Sequence, residues 1–317
     1  MDTAREITLV KSGGAAAMSQ WHHAFAELAP DLDVRWWDDA SVDSDAVRYV
    51  LVWQPEPGRI ARYRNLRVIF SSGAGVDHIT SDPDLPRHLP IVRMASDETI
   101  QTVCEYVCLG VLAIQRDLRR MIAAQAACLW EEFEPPRTAF DTRVGIMGLG
   151  NIGASAARML RGLGYQVAGW ARPAKSLDGI RCFSGMAALE AFLARTDILV
   201  GLLPDTPETR GLLNARRVAM LPRGAGVVNA GRGTLIVLSD LITALDSGHL
   251  SSAFLDVFEL EPLPRDHPAW RHPRITVTSH IAAFASRPAR ARHIVAALAA
   301  YRRGEGLPHR YQPERGY

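Results

Sequence analysis

The stretch VGIMGLGNIG, Val144 to Gly153, decides how this chain is read. It opens as an apolar run of strand length, then sets Gly148, Gly150 and Gly153 in a Gly-x-Gly-x-x-Gly spacing, and the chain continues as the helical run NIGASAARMLRGLG. A helix that starts directly after a strand has first-turn N–H groups with no partner inside the helix, and a pyrophosphate can take them. Gly148 permits the tight turn, Gly150 lets the pyrophosphate approach the backbone, and Gly153 lets the helix pack closely on the strand. The spacing alone also occurs at steric turns. With a strand before it and a helix after it, the motif predicts dinucleotide binding, with Leu149, Asn151 and Ile152 completing the loop.

Further on, VAGWARPAKS (Val167 to Ser176) lies where such a fold usually sets an acid against the adenosine ribose. That place holds Arg172, and no Asp or Glu follows until Asp178. A carboxylate there accepts the ribose hydroxyls of NAD and repels an added 2′-phosphate, whereas a guanidinium pairs with that phosphate through parallel hydrogen bonds. Arg172 and Lys175 therefore point to NADPH in preference to NAD; the alternative is two solvated loop charges.

Outward from this motif, short apolar runs alternate with longer helical patterns, which predicts an α/β chain built on doubly wound parallel sheets. One series runs through ITLV, VRWW, YVLVW, RVIFS and PIVRM; a second runs through RVGIMG, QVAGWA, DILVGLLP, GAGVVNA, SSAFLDVF and RITVTSH. Between them, Glu98 to about Leu129 has no internal turn signal apart from Gly110 and predicts one long helix or two abutting ones. Its apolar first half suggests burial on two sides, with a second subunit as one candidate cover. A last helix is expected over about Arg287 to Arg303.

The 317 residues suffice for two domains with separate cores. Basic and acidic side chains nearly balance, 36 against 34, so neither nucleic acid nor a membrane is an expected partner. Cys104, Cys108, Cys128 and Cys182 show no metal-ligand spacing and read as reduced buried thiols, which implies a cytoplasmic address. The start, MDTAREITLVKSGG, shows no signal-peptide pattern, and no run of about 18 apolar residues predicts a membrane span.

Three segments of the second series carry polar groups at strand ends, where open α/β sheets bind ligands. In NAGRG (Asn229 to Gly233), LDVFELEPLP (Leu255 to Pro264) and SHIAA (Ser279 to Ala283), the residues Arg232, Glu261 and His280 should project into one crevice. In the first series, SSGAGVDHI places small residues after a strand, so the N–H groups of Ala74, Gly75 and Val76 can bind a carboxylate, or simply form a turn.

GLGNIG, LLPDTPETRGLL, VVNAGRG, LDVFELEPLPRDHPAW and TSHIAA, in this order and at these separations, resemble the D-2-hydroxyacid dehydrogenase family, and FSSGAGVDHI extends the likeness into the first domain. VWQPEPG, LWEEFEP and GWARPAKS are similar to the short NADPH-using glyoxylate and hydroxypyruvate reductases. The resemblance implies a Rossmann nucleotide domain, 99–285 with the long helix, inserted into a flavodoxin-like substrate domain made of 1–98 and 286–317, in a homodimer. It implies NADPH-dependent reduction of a small 2-oxo acid to the 2-hydroxy acid, and a role for each strand-end residue that the chemistry supports. Such a reduction needs a cation on the carbonyl, a proton donor for the new alkoxide, and a hydride donor close by. Arg232 is implied for the first task and can also grip the substrate carboxylate. His280 is implied for the second, with Glu261 holding its ring and favouring the protonated form. Further cofactor contacts are implied for Leu203, Pro204, Thr209, Asn229, Ala230 and Gly231, and for Asp256 near the nicotinamide amide, although an Asp at a strand end can also cap a turn. Trp53 and Trp130 would wall the substrate pocket, Trp130 in its own or a partner subunit, unless they are core packing. Ala171 departs from the Ser or Thr that many NADP-preferring relatives carry before the Arg, which removes one hydrogen bond to the 2′-phosphate.

Three other readings stay open at this level. One is a broader reductase acting on bulkier acids such as phenylpyruvate. Another is a phosphoglycerate dehydrogenase, with Arg59, Arg62 and Arg64 as a phosphate site. The third is a nucleotide-sensing, co-repressor-like binding protein, against which stands the lack of a basic patch or docking segment.

Overall fold

The computed structural model describes residues 6–135 and 137–316. In chain order the elements are β1 (Glu6–Lys11), α1 (Met18–Ala26), β2 (Leu32–Trp36), β3 (Val47–Val52), β4 (Val68–Ser71), α2 (Asp77–Thr80), β5 (Ile91–Val92), α3 (Asp97–Gln115), α4 (Leu118–Ala126), β6 (Arg143–Met147) and α5 (Asn151–Gly162). They continue as β7 (Gln166–Ala171), β8 (Arg181–Ser184), α6 (Leu189–Leu193), β9 (Ile198–Gly201), α7 (Ala215–Val218), β10 (Ala225–Asn229), α8 (Leu238–Asp246), β11 (Leu250–Leu255), β12 (Ile275–Val277) and α9 (Arg287–Arg302). Two compact units result, Met1–Thr99 with Ala283–Tyr317, and Ile100–Ala282.

The first unit is built on a parallel sheet of order β2-β1-β3-β4-β5, the flavodoxin-like order. Central parallel strands are covered on both faces and so read as unbroken apolar runs, as VRYVLV does at β3. Successive side chains point to opposite faces. Tyr49 and Leu51 thus join Trp21 and Phe25 of α1 and Ile294 and Leu298 of α9, while Val50 and Val52 join Ile60, Ile69 and Ile79 across the sheet. Helix α9 begins where Ser286 accepts the Ala289 N–H and a proline occupies the first turn, and Gly304 follows its end at φ 75. Both ends follow ordinary capping chemistry.

The second unit has a parallel sheet of order β12-β11-β10-β9-β6-β7-β8. From β6 the chain moves to β7 and β8 on one side, then crosses to β9 on the other, so a crevice opens at the carboxyl ends of β6 and β9. Val144, Ile146 and Val228 face a core shared with Val103, Val107 and Val111 of α3 and Leu160 of α5; Met147 and Val227 face Leu193, Leu241 and Leu245. Strands β6 and β9 are also tied at their starts. The Asp197 carboxylate accepts the Arg143 N–H at 2.9 Å and both Nε and Nη2 of its guanidinium at 2.8 and 2.7 Å. Burial works to raise this carboxyl, but the bonds from Arg143 and Arg137 outweigh it and bring it down to about 2.

Of the two alternatives for the long helical stretch, the structure has the two abutting helices, broken where Asp117 adopts a left-handed φ of 48. Other features differ from the sequence expectations. Strand β8 was not anticipated: it is a short edge strand whose first and last residues are exposed, so no apolar run announces it. All four cysteines are free, but only Cys104 and Cys108 are buried; Cys182 is half-buried and Cys128 is exposed on the turn after α4, which corrects the expectation of four buried thiols. Among the described residues no helix is long and apolar enough to cross a membrane, and no cluster of His, Cys, Asp and Glu could hold a metal ion.

Candidate active site

At the nucleotide motif each glycine position has a visible cause. Gly148 sits at φ 104, closed to most side chains, and a Cβ there would lie 2.8 Å from the Leu202 carbonyl oxygen. A Cβ on Gly153 would come within 1.7 Å of the Gly148 carbonyl oxygen, so α5 can approach the strand only with glycine at that position. Around Gly150 a Cβ would meet nothing within 4 Å. Gly150 is also the N-cap of α5 and makes no side-chain cap bond. Open space in front of a helix start without a side-chain cap suits a pyrophosphate, so these residues fit a dinucleotide. Leu149 is buried and wedged against Gly169, which leaves its backbone for any ligand contact, while Asn151 is exposed and Ile152 half-buried.

Beyond the end of β7, Arg172 and Lys175 are exposed. Arg172 Nη1 lies 3.8 Å from Oε2 of Glu208, a residue that sequence reasoning did not single out. Glu208 belongs to the loop after β9, and its carboxyl is held below the usual range by its own backbone N–H, by Thr206 and by Arg172. That loop braces itself: the Thr209 hydroxyl donates to the Pro204 carbonyl at 2.6 Å and accepts the Thr206 N–H at 2.9 Å. Leu203 is buried beneath it.

Past β10, buried Asn229 shapes the turn that carries Arg232. Its Oδ1 accepts the Gly231 N–H at 3.2 Å and its Nδ2 donates to the Arg232 carbonyl at 3.0 Å. Ala230 N–H bonds to the Gly201 carbonyl, and a Cβ on Gly231 would lie 2.8 Å from the Leu203 carbonyl oxygen. Arg232 itself donates from Nη1 to the Gly231 carbonyl at 2.8 Å.

Glu261 and His280, placed by the loops after β11 and β12, are joined by a 2.7 Å hydrogen bond between Oε2 and Nδ1. The other carboxylate oxygen accepts the Phe258 N–H at 2.9 Å. Burial works to raise the Glu261 carboxyl, but His280, the Phe258 N–H and the nearby Arg232 charge together lower it. It is therefore an anion at neutral pH, and with Nδ1 committed to it, proton exchange with a ligand falls to Nε2.

His280 has φ 55, in the left-handed region that non-glycine residues rarely occupy. Asp256, 1% exposed, holds it there. Its backbone carbonyl accepts the His280 N–H at 2.8 Å. Its carboxylate accepts the N–H groups of Ile281 and Ala282, both at 2.8 Å, and the Thr278 hydroxyl at 2.6 Å. The turn-holding role, one of the two the sequence left open, is the one these contacts display.

In the first unit, Ser71 accepts the Gly73 N–H at 3.2 Å and donates to the Gly75 carbonyl at 2.8 Å, which curls the segment holding Ala74, Gly75 and Val76. The Trp53 ring lies over it, 4.4 Å from the His78 ring, and a Cβ on Gly73 would come within 2.8 Å of the indole. Trp130, in the second unit, is 93% exposed, so core packing does not describe it.

A sequence model of the D-isomer specific 2-hydroxyacid dehydrogenase NAD-binding domain matches residues 109–282. Glyoxylate/hydroxypyruvate reductase A of Salmonella paratyphi B is 38% identical over 303 residues, 94% of this chain and 96% of its own length. A D-isomer specific 2-hydroxyacid dehydrogenase from Xanthobacter autotrophicus Py2, crystallised with NADPH and MES, superposes with a TM-score of 0.93 at 40% identity, covering 99% of this chain and 100% of its own. The NADPH-dependent glyoxylate/hydroxypyruvate reductase of Sinorhizobium meliloti, crystallised with NADP and sulfate, gives 0.91 at 36% identity over 98% of this chain and 100% of its own. This chain belongs to the D-isomer specific 2-hydroxyacid dehydrogenase family.

Proposed function

We propose that this protein reduces small 2-oxo acids, glyoxylate and hydroxypyruvate, to 2-hydroxy acids with NADPH. The observation that carries the reading is the 2.7 Å His280–Glu261 pair on the strand-end edge that also bears Arg232 and the glycine cradle. NADPH, when bound, supplies the hydride for the carbonyl carbon. Gly148, Gly150, Gly153 and the start of α5 would hold its pyrophosphate, and Arg172 with Lys175 its 2′-phosphate.

Arg232 places positive charge on the substrate's carbonyl oxygen and carboxylate, so that the charge developing on oxygen meets a fixed cation. His280 delivers a proton from Nε2 to that oxygen as the carbon accepts the hydride, which completes the hydroxyl without a free alkoxide. Glu261 keeps the ring oriented and balances the imidazolium before transfer. In the first unit, the segment from Ala74 to Val76 would take a carboxylate through its N–H groups, and Trp53 above it favours small acids.

Against the phosphoglycerate reading stands Arg59, which pairs with Asp38 at 2.5 Å and stacks 4.3 Å over Trp37. A homodimer is supported by the exposed apolar residues Leu109, Leu112, Ile122 and Trp130 along and after α3 and α4; cytoplasmic residence accords with four free cysteines. Initial rates with NADPH test the substrate class. Glyoxylate and hydroxypyruvate should exceed phenylpyruvate in kcat/KM by at least about tenfold. Faster turnover of phenylpyruvate would replace this reading with the broader reductase.

A further inference from the structure

We propose that Tyr106, in the middle of α3, is a positioning residue for His280 and acts through Thr278 and Asp256. The inference rests on the catalytic role proposed for His280.

The chain of contacts is short and has a fixed direction. Tyr106 Oη lies 2.6 Å from Thr278 Oγ1, and Thr278 Oγ1 lies 2.6 Å from Asp256 Oδ1. The Thr278 hydroxyl donates its single proton to Asp256, so the hydrogen between Tyr106 and Thr278 must come from the phenol. Each link polarises the next, as in other buried hydroxyl chains. The receiving carboxylate is the one that takes the Ile281 and Ala282 N–H groups and so closes the left-handed turn at His280.

Such a turn is strained for a non-glycine residue and persists only when its surroundings over-determine it. Tyr106 ties that turn to a long helix whose Val103, Val107 and Val111 are anchored in the core under the sheet. Burial pushes the phenol well above its ordinary range, so it stays a neutral donor across the working pH. Other charged groups near the turn are Glu261, bonded to His280 Nδ1, and Arg232, whose field reaches Glu261. Tyr106 reaches the turn by a different route, through Thr278 and Asp256, so its hydroxyl is a separate support.

Tyr106→Phe tests this cleanly, because the ring keeps its edge contact with Phe254 at 5.3 Å while the donor is lost. Two readouts are taken: steady-state kinetics with glyoxylate and NADPH, and amide hydrogen exchange at Ile281 and Ala282 without substrate. Loosening a catalytic group by a fraction of an ångström costs about tenfold, so kcat for Tyr106→Phe should fall by about that factor, with the NADPH Kd within about twofold of wild type. Exchange at Ile281 and Ala282 should quicken. Thr278→Val should lower kcat by more, Thr278→Ser should restore it, and adding Tyr106→Phe to Thr278→Val should change nothing further, because the phenol acts only through Thr278.

Exchange at the two amides unchanged in Tyr106→Phe would overturn the proposal whatever the enzyme reduces. So would a variant that melts earlier but turns over as wild type, or two substitutions whose effects multiply independently. A wild type inactive on every 2-oxo acid would instead fault the reaction assigned above, and the exchange experiment would still decide on Tyr106.

Discussion

Replacing His280 with alanine is expected to lower kcat for glyoxylate reduction by about a thousandfold and leave NADPH affinity unchanged, since a positioned general acid contributes on the order of 10²- to 10⁴-fold. The expectation follows from the site's geometry. Nδ1 is held by Glu261 at 2.7 Å and the backbone is fixed by Asp256, which leaves Nε2 as the ring nitrogen to which the proposed mechanism gives the proton. Arg232→Ala should be as damaging in kcat and should also raise KM for the oxo acid, because in the proposed mechanism one guanidinium would serve both carboxylate and carbonyl. Glu261→Gln keeps an acceptor for the Phe258 N–H but removes the charge facing His280, so a loss of about tenfold in kcat with little change in KM is expected. Steady-state kinetics, with NADPH binding followed by fluorescence, separates these effects. Near wild-type turnover in either alanine variant would remove the mechanism.

The second large effect concerns the nucleotide turn. Alanine for glycine inside a helix is ordinarily worth up to about 1 kcal/mol in stability. At Gly153 the sign should reverse. The added methyl would sit 1.7 Å from the Gly148 carbonyl oxygen, a backbone atom that moves only if α5 lifts from β6. Overpacking of this kind costs about 1–3 kcal/mol, and the same displacement spoils the helix start that should receive the pyrophosphate. Gly153→Ala is therefore expected to melt several degrees below wild type and to lose most NADPH affinity. Gly162→Ala, at the end of the same helix, would meet nothing within 4 Å and should be neutral or slightly stabilising. Thermal melts and NADPH titrations of the pair check this; equal behaviour of the two variants would mean that the close approach at Gly153 is relaxed in solution.

Much of the architecture was legible because parallel strands covered on both faces leave apolar runs, as at VRYVLV and RVGIM, and because GLGNIG marks a strand-to-helix turn by composition alone. Strand β8 left no such trace, since an edge strand with exposed ends needs no apolar run. Two abutting helices were one of the alternatives for the long stretch, but the break could not be placed at Asp117, because a non-glycine residue in the left-handed region is imposed by tertiary packing, not by local propensity. Within the site, Arg232, Glu261 and His280 could be named from strand-end motifs, and Arg172 from its distance after the glycines. Glu208 opposite Arg172, and Tyr106 behind Thr278, could not. Each contact joins segments far apart in the chain, and each partner is an ordinary residue in its own segment, one an exposed acid and the other an apolar-face tyrosine.

Whether the reductase is linked to NADPH through Arg172 is decided by kcat/KM for NADPH against NADH, with glyoxylate as acceptor, in wild type and Arg172→Ala. In the proposed complex, Arg172 would exchange its 3.8 Å neighbour Glu208 for the 2′-phosphate dianion. Hydrogen bonds between charged groups contribute about 1.5–3 kcal/mol, so the wild type should prefer NADPH by about ten- to a hundredfold and the variant by little. Equal use of the two cofactors by wild type, unchanged in Arg172→Ala, would contradict the account.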